Sequence, residues 1–61
     1  MPVITFESTN LSKEQKKTLV KEFTEIASKV TDIPKEAFYV FLKENEFDNV
    51  GVGGTLLSEH Q

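Results

Sequence analysis

Apolar and polar positions along the chain predict a strand, a helix and a second strand, in that order. Val3–Ser8 begins with apolar residues on both strand faces, as expected of a strand covered on both sides. Residues 13–31 carry one apolar stripe at helical spacing, formed by Leu19, Val20, Phe23, Ile26, Ala27 and Val30. Residues 38–43 are rich in aromatic and β-branched side chains, which predicts the second strand.

The predicted helix has recognisable start and stop signals. Ser12 and Gln15 form the pattern of a capping box, in which each side chain satisfies a backbone amide of the other residue. Pro34 restricts the residue before it to non-helical conformations, so the helix should end near Asp32. A strand, a helix and a strand within about 40 residues predict a parallel β-α-β unit with a right-handed crossover.

Three glycines near the C-terminus, Gly51, Gly53 and Gly54, permit two interpretations. A phosphate-binding loop needs a strand before it, a helix after it and usually a Gly-Lys-Ser/Thr sequence, which does not follow here. The favoured interpretation is a short β-hairpin that uses glycine for positive φ angles. Residues 58–61 are expected to form a loose tail, with His60 solvated rather than acting as a ligand.

The chain has 61 residues, which is enough for one small domain over residues 1–61. A chain of this size often needs disulfides, a metal or partner subunits to be stable. It contains no cysteine and a single histidine, so disulfides and a zinc site are not expected. Two strands and one helix leave one sheet face uncovered, which predicts an α+β domain that self-associates.

Charge and hydropathy exclude several classes of function. All seven basic residues are lysines, and ten acidic residues give a net charge of −3, which argues against a nucleic-acid partner. No apolar run approaches the roughly 20 residues of a membrane-spanning helix. The N-terminal residues do not resemble a secretory signal. We therefore expect a cytoplasmic protein with no membrane partner.

Pro2 is the clearest candidate for a catalytic residue. Removal of Met1, which is common before a small residue, would give Pro2 a free secondary amine. An α-amino group titrates near pH ~7.7–8.0, and desolvation or nearby cations lower that pKa. The result would be a neutral base near physiological pH. Considered alone, a proline here is also an ordinary start for a strand.

Several features together resemble the 4-oxalocrotonate tautomerase family, of the 2-hydroxymuconate tautomerase type. They are Pro2 at a strand start, the helix-opening residues 12–17, Asp32-Ile33-Pro34 at the helix end and residues 51–54 of the glycine run. The resemblance runs the whole length of the chain. None of these features is specific alone, but their order and spacing together are.

The resemblance implies a β-α-β fold with a C-terminal hairpin, assembled as a homohexamer built as a trimer of dimers. It also implies keto–enol tautomerisation of small enol or keto acids in aromatic catabolism, with a 2-hydroxydienoate such as 2-hydroxymuconate as the first candidate. Pro2 would act as general base and then as general acid. No metal or organic cofactor is expected.

The chain departs from the family where the substrate is bound. Well-known members hold the substrate with one arginine before the helix and another in the second strand, and this chain has no arginine. Leu11 or Ser12 stands at the first position and Tyr39 at the second. Val50 replaces an aromatic residue, for which Phe47 could compensate. A phenol donates one hydrogen bond but lacks the guanidinium fork, so a lysine of a neighbouring subunit is another candidate.

Two alternatives to the tautomerase remain at this point. One is a dehalogenase or hydratase of the same superfamily, although those relatives also depend on arginines. The other is an oligomeric scaffold or binding protein of the same fold, in which Met1 is retained and Pro2 is an amide without basicity. The mass of the native protein separates the scaffold from the enzymes.

Overall fold

The computed structural model describes residues 1–59 as a β-α-β unit followed by a small hairpin. In chain order the strands and the helix are β1 (Val3–Ser8), α1 (Lys13–Thr31), β2 (Tyr39–Glu44), β3 (Gly51–Val52) and β4 (Thr55–Leu56). Short 3₁₀ turns cover Lys35–Ala37, Phe47–Asn49 and Leu57–Glu59. The last turn includes Ser58 and Glu59, so the expectation of a loose tail is wrong for these two residues. His60, for which solvation was predicted, lies outside the described residues.

β1 and β2 pair in parallel, from Val3 opposite Tyr39 to Ser8 opposite Glu44. This confirms the predicted β-α-β unit, but β2 begins and ends one residue later than expected. Phe38 is excluded because its amide donates to the Lys35 carbonyl at 3.1 Å and closes a 3₁₀ turn. Glu44 is included because it continues the parallel register beside Ser8.

α1 begins at the predicted capping box and ends at a left-handed residue. The Ser12 hydroxyl accepts from the Gln15 amide at 3.1 Å, and the Gln15 side chain accepts from the Ser12 amide at 2.9 Å. Asp32 has φ 61°, and its amide donates to the Ser28 carbonyl at 2.8 Å. The helix therefore stops at a left-handed C-cap, two residues before Pro34.

The glycine run forms the predicted hairpin. Gly53 and Gly54 have φ angles of 62° and 89°, which suit the two-residue turn that connects antiparallel strands. β3 and β4 flank this turn, and the Leu57 amide donates to the Val50 carbonyl at 2.7 Å. A strand, rather than a helix N-terminus, follows the glycines, so a phosphate-binding loop is not formed here.

One face of the β1–β2 sheet packs against α1 and the other is open. The rings of Phe6 and Phe23 lie 5.5 Å apart between β1 and the helix. On the opposite face, Val3, Tyr39 and Phe41 are each 50% exposed. No side chain among residues 1–59 is fully buried. A single copy therefore has no closed core, in agreement with the predicted need for partners.

α1 is the longest helix in the described part of the chain, with 19 residues, and its outer surface is rich in lysine and glutamate. Neither it nor any other helix within residues 1–59 is long and apolar enough to cross a membrane. In the same residues, no three side chains of the His, Cys, Asp and Glu types are grouped so that they could hold a metal ion.

Candidate active site

Pro2 lies directly before β1, at the edge of the sheet where both parallel strands begin. Its carbonyl accepts the Tyr39 amide at 3.0 Å, which fixes its backbone against the start of β2. Proline has no amide hydrogen to donate to the ladder, and a position before the first strand residue does not require one. Pro2 is partly buried, whereas Met1 is 82% exposed. The bond between them lies at the accessible end of the strand.

The backbone of Tyr39 is hydrogen-bonded to that of Pro2, but the Tyr39 side chain lies on the other face of the sheet. Exposure alternates along β1, with Val3 exposed and Ile4 partly covered by the helix side. Tyr39 pairs with Val3, so both side chains lie on the exposed face. Pro2 is two residues before Ile4, so it lies on the same face as Ile4, towards the helix. The structure thus brings the two backbones together and places the phenol on the uncovered face.

Leu11 and Val50 lie at the opposite end of the sheet, beyond the carboxyl ends of the strands. The Leu11 amide donates to Glu44 Oε2 at 2.9 Å, which ties the loop before α1 to the last residue of β2. Val50 is joined to Leu57 at the base of the hairpin. A six-residue strand spans roughly 20 Å. Within one copy, these two candidates are therefore far from Pro2.

Val50 lines a groove of about 450 Å³ between the ends of the strands and the hairpin. The lining of this groove includes polar groups that are bonded to one another: the Asn45 amide donates to the Ser8 carbonyl at 2.7 Å, and Asn45 Nδ2 donates to Glu7 Oε1 at 3.2 Å. Phe47 is at the same end of the molecule and is 52% exposed. Neither apolar side chain encloses the Pro2 of its own copy.

Glu44 connects three parts of the chain that sequence analysis treated separately. Its Oε1 lies 2.8 Å from Lys16 Nζ, and its Oε2 accepts the Leu11 amide. The hydrogen bond from Lys16, and then that from Leu11, hold the pKa of this carboxyl below its ordinary 4.5. Lys16 lies outside the apolar stripe of α1. The sequence carried no signal that it would be paired with Glu44.

The family follows from comparison with known proteins. The profile of the tautomerase family, described as tautomerase enzyme, matches residues 2–60. The chain belongs to the tautomerase family. A protein of Listeria innocua serovar 6a named a probable tautomerase is 40% identical over 60 residues, which is 97% of this chain and 98% of that protein.

Solved structures of tautomerase homologues have the same fold. The crystal structure of a 4-oxalocrotonate tautomerase homologue superposes with a TM-score of 0.92 at 32% identity and covers 100% of this chain and 98% of that one. A heterohexamer 4-oxalocrotonate tautomerase from Chloroflexus aurantiacus has a TM-score of 0.79 at 25% identity, over 98% and 95% of the two chains. The resemblance recognised in the sequence is confirmed at the level of family and fold.

Proposed function

We propose that this tautomerase-family protein is a keto–enol isomerase that acts on 2-hydroxydienoates such as 2-hydroxymuconate, with the Pro2 amine as its base. Family membership supports the reaction class, as does the relative named a probable tautomerase. The observation that carries the role of Pro2 is its position: it lies partly buried at the open edge of the sheet, behind an exposed Met1. Removal of Met1 creates the required amine.

The chemistry requires one group that takes a proton and returns it. The neutral Pro2 nitrogen removes the hydroxyl proton of the dienol, and the oxygen electron pair forms the carbonyl. The double bonds shift along the conjugated chain, and a distant carbon takes the proton back from the Pro2 ammonium. The amine is restored, and neither a metal nor an organic cofactor is needed in this cycle.

The proposed active site is shared between copies of the chain in a homohexamer. One copy holds Pro2 and the Tyr39 phenol on different sheet faces, with Leu11 and Val50 beyond the far end of the strands. These side chains surround one substrate only if different copies supply them. The absence of a fully buried side chain within residues 1–59, and the hexameric relative, support this assembly.

The test combines mass with kinetics. Intact-mass spectrometry of the native protein should show the loss of one methionine. Pro2→Ala exchanges the rigid secondary amine for a mobile primary amine and should lower kcat/KM for 2-hydroxymuconate by roughly 100-fold, while the oligomer persists. Pro34→Ala, a change of the same type at an exposed position between α1 and the next 3₁₀ turn, should keep full activity.

Two results would reject Pro2 as the general base. Uniform retention of Met1 would leave Pro2 without a basic nitrogen and favour the oligomeric scaffold, an alternative motivated by the lack of arginine. Wild-type turnover by Pro2→Ala would remove Pro2 from the reaction even if Met1 is processed. Loss of activity in Pro34→Ala as well would indicate a structural effect of replacing proline.

A further inference from the structure

Four of the seven lysines form one surface on the first half of α1. They border a shallow groove of about 650 Å³ with Val20 at its base; the lining residues are Lys13, Lys16, Lys17, Val20 and Lys21. The spacing of three and four residues places these side chains on one side of the helix. Val20 is 39% exposed. We call this surface the lysine groove.

A surface of opposite character follows β2. Residues 46–48 comprise Glu46, Phe47 and Asp48, and the 3₁₀ turn Phe47–Asn49 presents them outside the sheet. Phe47 is 52% exposed between the two carboxylates. Within residues 1–59, neither Glu46 nor Asp48 forms an ion pair. We call residues 46–48 the acidic turn.

We propose that the acidic turn of one copy docks into the lysine groove of a neighbouring copy. Phe47 would cover Val20, while Glu46 and Asp48 would meet the lysines that border the groove. Each surface has an apolar centre flanked by charges, and the charges are of opposite sign. This pairing rests on the self-association in the proposed function and identifies one contact that holds the copies together.

The two surfaces are different, so the contact is head-to-tail. Such contacts form closed rings when the rotation between copies closes, and fibres when it does not. Lys16 of the groove is only 2.8 Å from Glu44, two residues before the acidic turn. Groove and turn therefore lie near the same end of each copy, which favours a compact ring within the proposed hexamer.

A second copy is a better occupant than a polyanionic surface. The chain carries a net charge of −3, which opposes its approach to nucleic acid or to anionic lipid. The groove also has an apolar base, which a phosphate backbone does not match. The acidic turn supplies both features at a fixed stoichiometry of one turn for each groove.

Charge reversal with rescue tests the contact. K17E/K21E places like charges in the contact, as does E46K/D48K, and like charges across an interface strongly oppose association. We expect each double variant to raise the dissociation constant of the oligomer about 100-fold in sedimentation velocity. The combined variant K17E/K21E/E46K/D48K restores opposite charges and should recover the wild-type value within about tenfold. K29E/K35E is the control for K17E/K21E, with the same charge change outside the groove. Lys35 Nζ lies 3.9 Å from Glu25 Oε2, so circular dichroism must show that this control keeps its helix.

The outcomes separate this contact from the assembly itself. Unchanged dissociation constants in both double variants, with a wild-type oligomer, would overturn the contact and leave the proposed hexamer intact. A wild-type monomer would instead refute the assembly. Weakening without recovery in the combined variant would also overturn the pairing, when circular dichroism at a concentration that keeps this variant assembled shows the wild-type helix content. Equal weakening by K29E/K35E would attribute the effect to net charge and overturn it too.

Discussion

At the scale of single residues, Pro2 and Tyr39 are neighbours through their backbones, but their side chains lie on different faces of the sheet. The Tyr39 amide reaches the Pro2 carbonyl at 3.0 Å, yet its side chain shares the uncovered face with Val3 and Phe41. A phenol on that face can meet the Pro2 of another copy more readily than its own. We therefore expect Tyr39 to contact substrate across a subunit boundary. It stands at the second-strand position where well-known family members have an arginine, and its phenol can donate a hydrogen bond.

Tyr39→Phe tests this role. Hydrogen bonds to charged groups contribute about 1.5–3 kcal/mol, so losing the phenol should lower kcat/KM for a dicarboxylate dienol by roughly 10- to 100-fold. A monocarboxylate enol such as phenylenolpyruvate should be affected less, and the oligomer should be unchanged. A negligible effect on both substrates would make Tyr39 a structural residue and point to a lysine of an adjacent copy.

The sequence indicated which residues to examine but not where their partners lie. Pro2 and Tyr39 were recognised from their order along the chain and their likeness to a family. However, the spacing of residues predicts the elements of one chain only. A site shared between copies also depends on how their surfaces fit together, which residue spacing does not show. The position of Leu11 and Val50 at the far end of the sheet illustrates this difference.

At the scale of elements, Glu44 ties β2 to the start of α1 through two contacts of different kinds. The Leu11 amide donates a hydrogen bond to the carboxylate, whereas Lys16 forms an ion pair with it. Because both contacts favour the carboxylate, the pKa of Glu44 is lowered in the folded chain. Its contribution to stability is therefore present above the ordinary 4.5 and is lost as the pH falls through the lower, folded value.

Glu44→Gln separates the charge from the acceptor, because glutamine keeps a carbonyl oxygen for the Leu11 amide. We expect this variant to be less stable than wild type near neutral pH and equal to it once the pH is below the lowered pKa of Glu44, where both side chains are neutral. Urea unfolding at one fixed protein concentration measures the difference at each pH. Glu36→Gln, in an exposed 3₁₀ turn, is the control. A stability gap that is unchanged by pH would contradict the charge assignment.

Local signals predicted the elements because each has a local cause. Each of these signals depends on residues that are close in sequence. They are the Ser12 capping box, the three- and four-residue spacing of the α1 stripe and the Gly53-Gly54 turn. The contact between Lys16 and Glu44 joins residues 28 positions apart, and the end of β2 follows from its pairing with β1. Neither is visible before the chain is folded.

At the scale of the whole molecule, a single copy is more extended than a compact domain of its length. Its radius of gyration is 14.9 Å, against about 10.5 Å for a compact domain of 61 residues. Its longest dimension is 43 Å and its shortest is 14 Å, so one copy is elongated. The ratio of strands to helices predicts the uncovered face, but it does not define which copies cover that face.

Folding and association should consequently be one process. For a hexamer that unfolds to separate chains, each tenfold rise in protein concentration should add about 1 kcal/mol of stability per chain. The urea midpoint followed by circular dichroism should therefore increase with concentration, while sedimentation equilibrium at micromolar concentration shows no appreciable folded monomer. A midpoint independent of concentration, together with a compact monomer, would contradict the assembly. Because the proposed site needs side chains from several copies, dilution should then abolish activity and helical structure over the same concentration range.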